Sequence, residues 1–287
     1  GSETALAQIV AEVLGLGIDS ISVHNSDSDI KPWDVGVHAS RTTFIAGNAA
    51  YLAALDARGQ LFETAAQLLS VTPDDLEARQ GSIHARSGGP SLPLEKVVRA
   101  RHFREGGQIV VGEGWYDPPT QLVDKATYKG NISAAYGFGA QMAEVEVDLE
   151  TGQVHVLRLV CANDVGRAIN PLGLLGQVEG GVMMGLGNAL TEEYIVEDGI
   201  VFSDRLARYR MPGISQSPEI VSIVVEHPTS EGPHGAKGVG EIVSIPTTPA
   251  ITNAIAFATG VRIRKLPVDQ DWLALEIHRR GSLPEAI

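Results

Sequence analysis

The sequence predicts a fold that uses helices and strands together, on three observations. Residues Glu3 to Leu14 set Ala5, Ile9, Val10 and Val13 on one side of an amphipathic helix, which Gly15 and Gly17 end. Gly139 to Asp148 and Gln153 to Val160 carry strand patterning on either side of the turn Glu150-Thr151-Gly152. Between a strand-like stretch and a helix-like one lies His234-Gly235-Ala236-Lys237-Gly238-Val239-Gly240-Glu241, with three glycines in six residues. Such a backbone has almost no side-chain cover, and it ends on one carboxylate.

Composition bounds what this arrangement can be. At 287 residues the chain can bury a sizeable core, as one large domain or two smaller ones. Apolar residues make up 44%, mean hydropathy is +0.04, and no apolar run reaches the roughly 18 residues of a membrane-spanning helix. The net charge of −13 argues against nucleic acid or an anionic membrane as partner. Cys161 is the single cysteine, which excludes internal disulfides, an iron–sulfur cluster and a cysteine-based zinc site. It agrees with a reducing, cytoplasmic setting. The first residues read as the interior of a domain rather than as a signal peptide.

After the first helix, Ile18 to His24 alternates as a strand and Asn25 to Asp34 is polar. Ile45 to Leu69 is alanine-rich and helical apart from Gly47 and Gly59, and it is preceded by Ala39-Ser40-Arg41-Thr42-Thr43. Amides and hydroxyls at a helix start, with an arginine beside them, can hold phosphate. On these residues alone, an ordinary N-cap with a surface arginine is the preferred reading. Pro73 to Gly89 reads as a polar surface excursion, and Ile109 to Tyr128 as irregular. Asp164 to Pro171 is a loop before the helix Leu172 to Tyr194, whose Gly180, Gly181, Gly185 and Gly187 each cost roughly 1 kcal/mol against alanine. Something must therefore pack very close, a neighbouring helix before a bound ligand. Met183 and Met184 read as core filler. Val201 to Met211, Glu219 to Glu226 and Val261 to Leu266 read as strands, and Pro249 to Thr259 as a helix.

Five segments in order resemble the C-terminal part of the molybdenum-binding large subunit of the xanthine dehydrogenase and aldehyde oxidase family. They are Gly1-Ser2-Glu3-Thr4 with its helix, Ala39 to Thr43, Glu144 to Asp148 through Thr151-Gly152, Asp164-Val165-Gly166 through Gln177 to Gly181, and Lys237 to Glu241. Trp33 to Gly36 and Gly137 to Gln141 are closest in texture to the 4-hydroxybenzoyl-CoA reductase branch.

The resemblance implies an α+β fold of mixed sheets with packed helices, a molybdopterin-binding domain over residues 1–287. It implies that Ala39, Ser40, Arg41, Thr42 and Thr43, with Gly1, Ser2 and Glu3, meet the phosphates or cytosine nucleotide of molybdopterin. The backbone of Lys237, Gly238, Val239 and Gly240 would lie along that cofactor. Glu241 would be the general base beside the molybdenum, which no protein side chain need ligate. Iron–sulfur clusters and FAD are expected on partner subunits. The substrate would be a small aromatic molecule or an aldehyde. The activity the resemblance implies first is reduction of an aromatic hydroxyl in an aryl-CoA thioester, with hydroxylation of an aldehyde or N-heteroaromatic ring as the nearest alternative. An inert assembly domain is the reading from a different class, against which Glu241 and Ser40 to Thr43 stand intact. The family's Gly-Gln-Gly before the first helix has no counterpart here. The upstream half of the molybdenum subunit is therefore expected as a partner, and the chain alone is expected to self-associate without metal or activity.

Overall fold

The computed structural model describes residues 1–25, 27–29, 31–103 and 107–281, and mixes helices with small sheets as expected. It divides into two compact units. The first comprises Gly1–Tyr136, Gly166–Asn170 and His227–Gly238, and the second Gly137–Val165, Pro171–Glu226 and Val239–Ile287.

In the first unit, α1 (Ser2–Leu14) buries Ala5, Ala7, Ile9, Ala11 and Val13, and Gly15 ends it at φ 65°. A side chain at Gly15 would stand 2.4 Å from the Ala78 carbonyl carbon, so glycine meets a positive φ and a close approach at once. Helix α2 (Thr42–Leu69) uses its C-terminal half to build a core. Leu61, Phe62, Ala65 and Ala66 pack with Leu76, Ile83, Leu92 and Val97. The last four come from β1 (Leu76–Arg79), β2 (Ser82–Ala85), β3 (Ser91–Pro93) and α3 (Leu94–His102).

The antiparallel sheet β1-β2-β3 corrects the reading of 73–89 as a surface excursion. Gln80 and Gly81, both at positive φ, turn β1 into β2, and Ile83 is fully buried. Ile18 to His24 is also corrected, being a short 3₁₀ turn (Ile18–Ser20) followed by irregular chain. Alternation makes a strand only where a partner edge supplies hydrogen bonds.

Residues 107–136 are irregular, and part of this strap explains the alanines of α2. Side chains at Gly112 and Gly114 would stand 2.0 and 2.3 Å from the Ala53 and Ala49 carbonyl oxygens. Gln60 Nε2 donates to the Val111 carbonyl at 2.6 Å, and the Glu113 N–H donates to Asp56 at 3.0 Å. The second bond, with help from Gln60, lowers the Asp56 pKa below the ordinary 3.8.

In the second unit, β4 (Gly139–Val147) runs antiparallel to β5 (Val154–Asp164), as the hairpin pattern predicts, with a bulge at Glu144/Val145. β8 (Glu219–Val225) lies parallel on the other side of β5, giving the order β4-β5-β8. Helices α4 (Pro171–Leu190) and α6 (Ser244–Thr259) are in close contact, and their buried residues share one core with β5. That core joins Leu159 and Cys161 to Val178, Val182, Leu186, Ile251 and Ile255. Two of the α4 glycines answer to α6: side chains at Gly181 and Gly185 would stand 2.9 Å from Cβ of the N-cap Val243 and 2.4 Å from Thr247 Cβ. One at Gly187 would meet Glu192 and Pro212 instead, and one at Gly180 would meet nothing within 4 Å, so a neighbouring helix packs close at two of the four positions.

Other readings of this unit are corrected. Val201 to Met211 is a strand only at β7 (Ile200–Val201), which pairs with β6 (Val196–Glu197), and then becomes the short helix α5 (Leu206–Tyr209). Arg208 there pairs with Asp204 one turn back. Helix α6 begins at Ser244, ahead of Pro249, and Pro246 falls in its first turn, where a missing N–H costs nothing. Val261 to Leu266 has no strand partner among the described residues and leads to α7 (Gln270–Arg280). Asp269 caps α7 by accepting the Trp272 N–H at 3.0 Å. Met184 is 67% exposed, so it is not core filler. Among the described residues no helix is long and apolar enough to cross a membrane.

Candidate functional site

The start of α2 is unusual for a helix of its length. Ala39 and Ser40 both sit in the left-handed region, at φ 51° and 54°, though neither is glycine. They tip the chain so that Arg41 stands at the N-cap, and no side chain caps the helix. A helix start leaves its first amides without intrahelical partners. The Thr42 hydroxyl is buried and meets no hydrogen-bond partner among the described residues. Ser40, Arg41, Thr42 and Thr43 are all half-buried, and Ala39 is exposed.

The glycine loop comes directly against this helix start. A side chain at Gly238 would stand 1.6 Å from the Ser40 carbonyl oxygen and 2.7 Å from its carbon. Bare backbone therefore lies on bare backbone, and the structure brings Ser40 and the Lys237-Gly238 pair together within the first unit. Gly166 closes the same neighbourhood. At φ 67°, its side chain would stand 2.3 Å from the Gly235 oxygen and 2.9 Å from the Lys237 nitrogen. The Arg167 N–H donates to the Gly235 carbonyl at 3.0 Å.

Three residues that the sequence reading missed hold the approach to this loop. Asn48, buried on α2, donates through Nδ2 to the Glu231 carbonyl at 2.6 Å. The Tyr116 hydroxyl donates to the same carbonyl at 3.3 Å. Tyr51 meets the His234 ring edge to face, with centroids 4.9 Å apart. The one sequence signal was Asn48, a polar residue inside an alanine-rich helix.

Glu241 belongs to the second unit, on the turn before α6. Its carbonyl accepts from the Ser244 N–H at 3.2 Å and from the Ser244 hydroxyl at 3.0 Å, while its side chain is exposed. Val239 is half-buried and Gly240 exposed. Gly1, Ser2 and Glu3 lie exposed at the start of α1, where the Ala5 N–H reaches the Gly1 carbonyl at 3.1 Å.

A helix start with no side-chain cap, a buried hydroxyl without a hydrogen-bond partner among the described residues and a bare glycine loop against Ser40 are features with which a domain can hold an anionic group. The particular family follows from comparison: residues 1–218 match the molybdopterin cofactor-binding domain, and the chain belongs to that family. The matched stretch includes the α2 start and stops short of the glycine loop. Relatives cover both. The chain is 36% identical over 272 residues to the 6-hydroxypseudooxynicotine dehydrogenase complex subunit gamma of Paenarthrobacter nicotinovorans, covering 93% of this chain and 33% of that one. It is 31% identical over 290 residues to a putative xanthine dehydrogenase molybdenum-binding subunit of Escherichia coli, covering 99% and 37%. The structure resembles quinoline 2-oxidoreductase from Pseudomonas putida 86 at a TM-score of 0.81 and 28% identity, covering 97% of this chain and 35% of that one. The chain thus spans about a third of the length of the relatives it matches.

Proposed function

We propose that this chain forms part of the cofactor-binding wall of a molybdenum oxidoreductase. The observation that carries the reading is the contact of Gly238 with Ser40 beside the buried, unpartnered Thr42 hydroxyl. These residues fit a phosphorylated pterin. Ser40, Arg41, Thr42 and Thr43 offer amides, hydroxyls and a positive charge at one helix start, and Ala39 sets their direction. The backbone of Lys237, Gly238, Val239 and Gly240 can approach a flat ligand, because no side chain intervenes. We extend the same role to Gly1, Ser2 and Glu3, on the family resemblance alone. The cytosine dinucleotide form of the cofactor rests on that resemblance too.

When bound, such a cofactor supplies two-electron redox chemistry at molybdenum. Glu241 would serve there as general base, its carboxylate accepting the proton that the reaction releases. The Ser244 bonds to its carbonyl fix the backbone from which the carboxylate projects.

Hydroxylation of an aldehyde or N-heteroaromatic ring is the direction we favour, since the relatives are named as dehydrogenases and a quinoline oxidoreductase. Reduction of an aryl-CoA thioester is the second reading, supported by the texture of Trp33 to Gly36 and Gly137 to Gln141. Partner subunits carrying iron–sulfur clusters and FAD, and the remaining portion of the molybdenum subunit, follow from the same family reading. So does a cytoplasmic setting. An inert scaffold would need neither Glu241 nor the Thr42 hydroxyl.

The test is Glu241→Gln in the complete enzyme. Molybdenum and pterin content should stay normal while turnover falls on the order of 10²- to 10⁴-fold. Normal turnover in that variant would reject the general-base role.

A further inference from the structure

The turn that carries Glu241 is held from below by one side chain. Gln141, on the edge strand β4, donates from Nε2 to the Val243 carbonyl at 2.7 Å. Its Oε1 accepts from the Thr247 hydroxyl, also at 2.7 Å. Thr247 is fully buried, and its oxygen lies 3.0 Å from the same Val243 carbonyl. One hydroxyl proton cannot serve both acceptors fully, and the shorter contact is the one to Gln141. The carboxamide thus uses both ends on the first turn of α6, which begins three residues after Glu241.

The surroundings are shaped to the same end. A side chain at Gly137 would stand 2.8 Å from Ile242 Cδ1, and one at Gly139 would stand 3.8 Å from Ile242 Cγ1. A side chain at Gly181 would stand 2.9 Å from Val243 Cβ. Ile242 and Val243 are therefore seated on glycines, and Gln141 supplies the directional bonds. These contacts hold backbone and apolar side chains next to Glu241 and leave its carboxylate exposed.

We propose that Gln141 is a positioning residue for Glu241, fixing the turn from which the carboxylate reaches the reacting atoms. The proposal rests on the reading of Glu241 as the base. A misplacement of about 1 Å at a reacting group can cost on the order of 100-fold in rate. Gln141→Leu keeps the volume and removes both bonds, whereas Gln141→Glu keeps an acceptor for Thr247 and loses the donor to Val243.

Two measurements decide it. In this chain, amide hydrogen exchange of residues 240–247 should accelerate in Gln141→Leu, with the rest of β4 and β5 unchanged. In the complete enzyme, kcat should fall roughly 10- to 100-fold with KM within about twofold and metal content intact. Placed in a Glu241→Gln background, Gln141→Leu should lower kcat no further, because nothing remains to be positioned. A further drop there would mark a merely structural role and overturn the proposal, as would unchanged exchange at 240–247. If Gln141→Leu does not fold, Gln141→Glu is judged by the same criteria. If Glu241→Gln alone retains turnover, the base reading fails, and the exchange result still reports whether Gln141 holds the turn.

Discussion

The glycines of α4 invite a test in which neighbouring residues of one helix should respond in opposite directions to the same substitution. Alanine at Gly176 or Gly180 meets nothing within 4 Å, and both positions are exposed in this chain. There the substitution gains roughly 0.5–1 kcal/mol from helix propensity and a less free unfolded chain. At Gly185 the added carbon would stand 2.4 Å from Thr247 Cβ, where carbon atoms rest at about 3.5–4.0 Å. Helices α4 and α6 would have to part by more than about 1 Å at that level. Overpacking of this kind costs roughly 1–3 kcal/mol, and the hydrogen bond from Thr247 to Gln141 is put at risk for about 1 kcal/mol more. The propensity gain is common to both variants and cancels, so Gly185→Ala should end about 2–4 kcal/mol below Gly180→Ala. With a urea slope near 2 kcal/mol per molar, the midpoints should differ by about 1–2 M. Urea titrations of the two variants, with slopes shown to match, read this directly. A Gly185→Ala midpoint at or above that of Gly180→Ala would refute the claim that α6 is what excludes a side chain there.

Three further outcomes follow from single groups. Thr42→Val removes a buried hydroxyl that meets no partner, so the isolated chain should lose no thermal stability while the complete enzyme loses molybdenum content; unchanged metal content would detach Thr42 from the cofactor. Burial pushes the Cys161 thiol from 9.0 up to about 11, so the native chain should resist iodoacetamide at pH 8 and react once unfolded. The same shift contributes stability that is full below about pH 9 and is lost as pH rises toward 11, and Cys161→Ala should flatten that loss in urea titrations. Asp148 accepts the N–H groups of Thr151 and Glu150 at 3.0 and 2.9 Å, which lower its pKa below 3.8. Its contribution is therefore present above the unfolded pKa and lost as pH falls through the lower folded value, so Asp148→Asn should narrow the stability gap between pH 7 and pH 3.

What was legible in the sequence divides by the distance over which a residue does its work. Helix α1, the β4-β5 hairpin, the body of α2 and strand β8 carry their own signals in periodicity, turns and caps, and each lies close to where it was read. The sheet β1-β2-β3 was missed because its strands of three or four residues bury only one or two side chains each, too few for a period to show. Ile18 to His24 and Val261 to Leu266 show the converse. Their alternation is real, but a strand is a property of two segments, and neither finds a partner among the described residues.

The candidate site follows the same rule. Residues that meet a ligand through backbone or hydroxyl groups, such as Ser40, Thr42 and Gly238, advertise themselves as glycines and capping residues next to a helix. The residues that hold them do not. Asn48 acts on a carbonyl 183 residues away, Tyr116 on one 115 away and Gln141 on one 102 away. In sequence, strand alternation sets Gln141 on the face of Ala143, Val145 and Val147, opposite the exposed Glu144 and Glu146, but nothing local says what a polar residue there would bond. The fold supplies that answer by placing the Gln141 carboxamide against α6. Sequence therefore points to where a ligand can be touched, and the side chains that decide how accurately it is touched appear when the strands and helices are brought together.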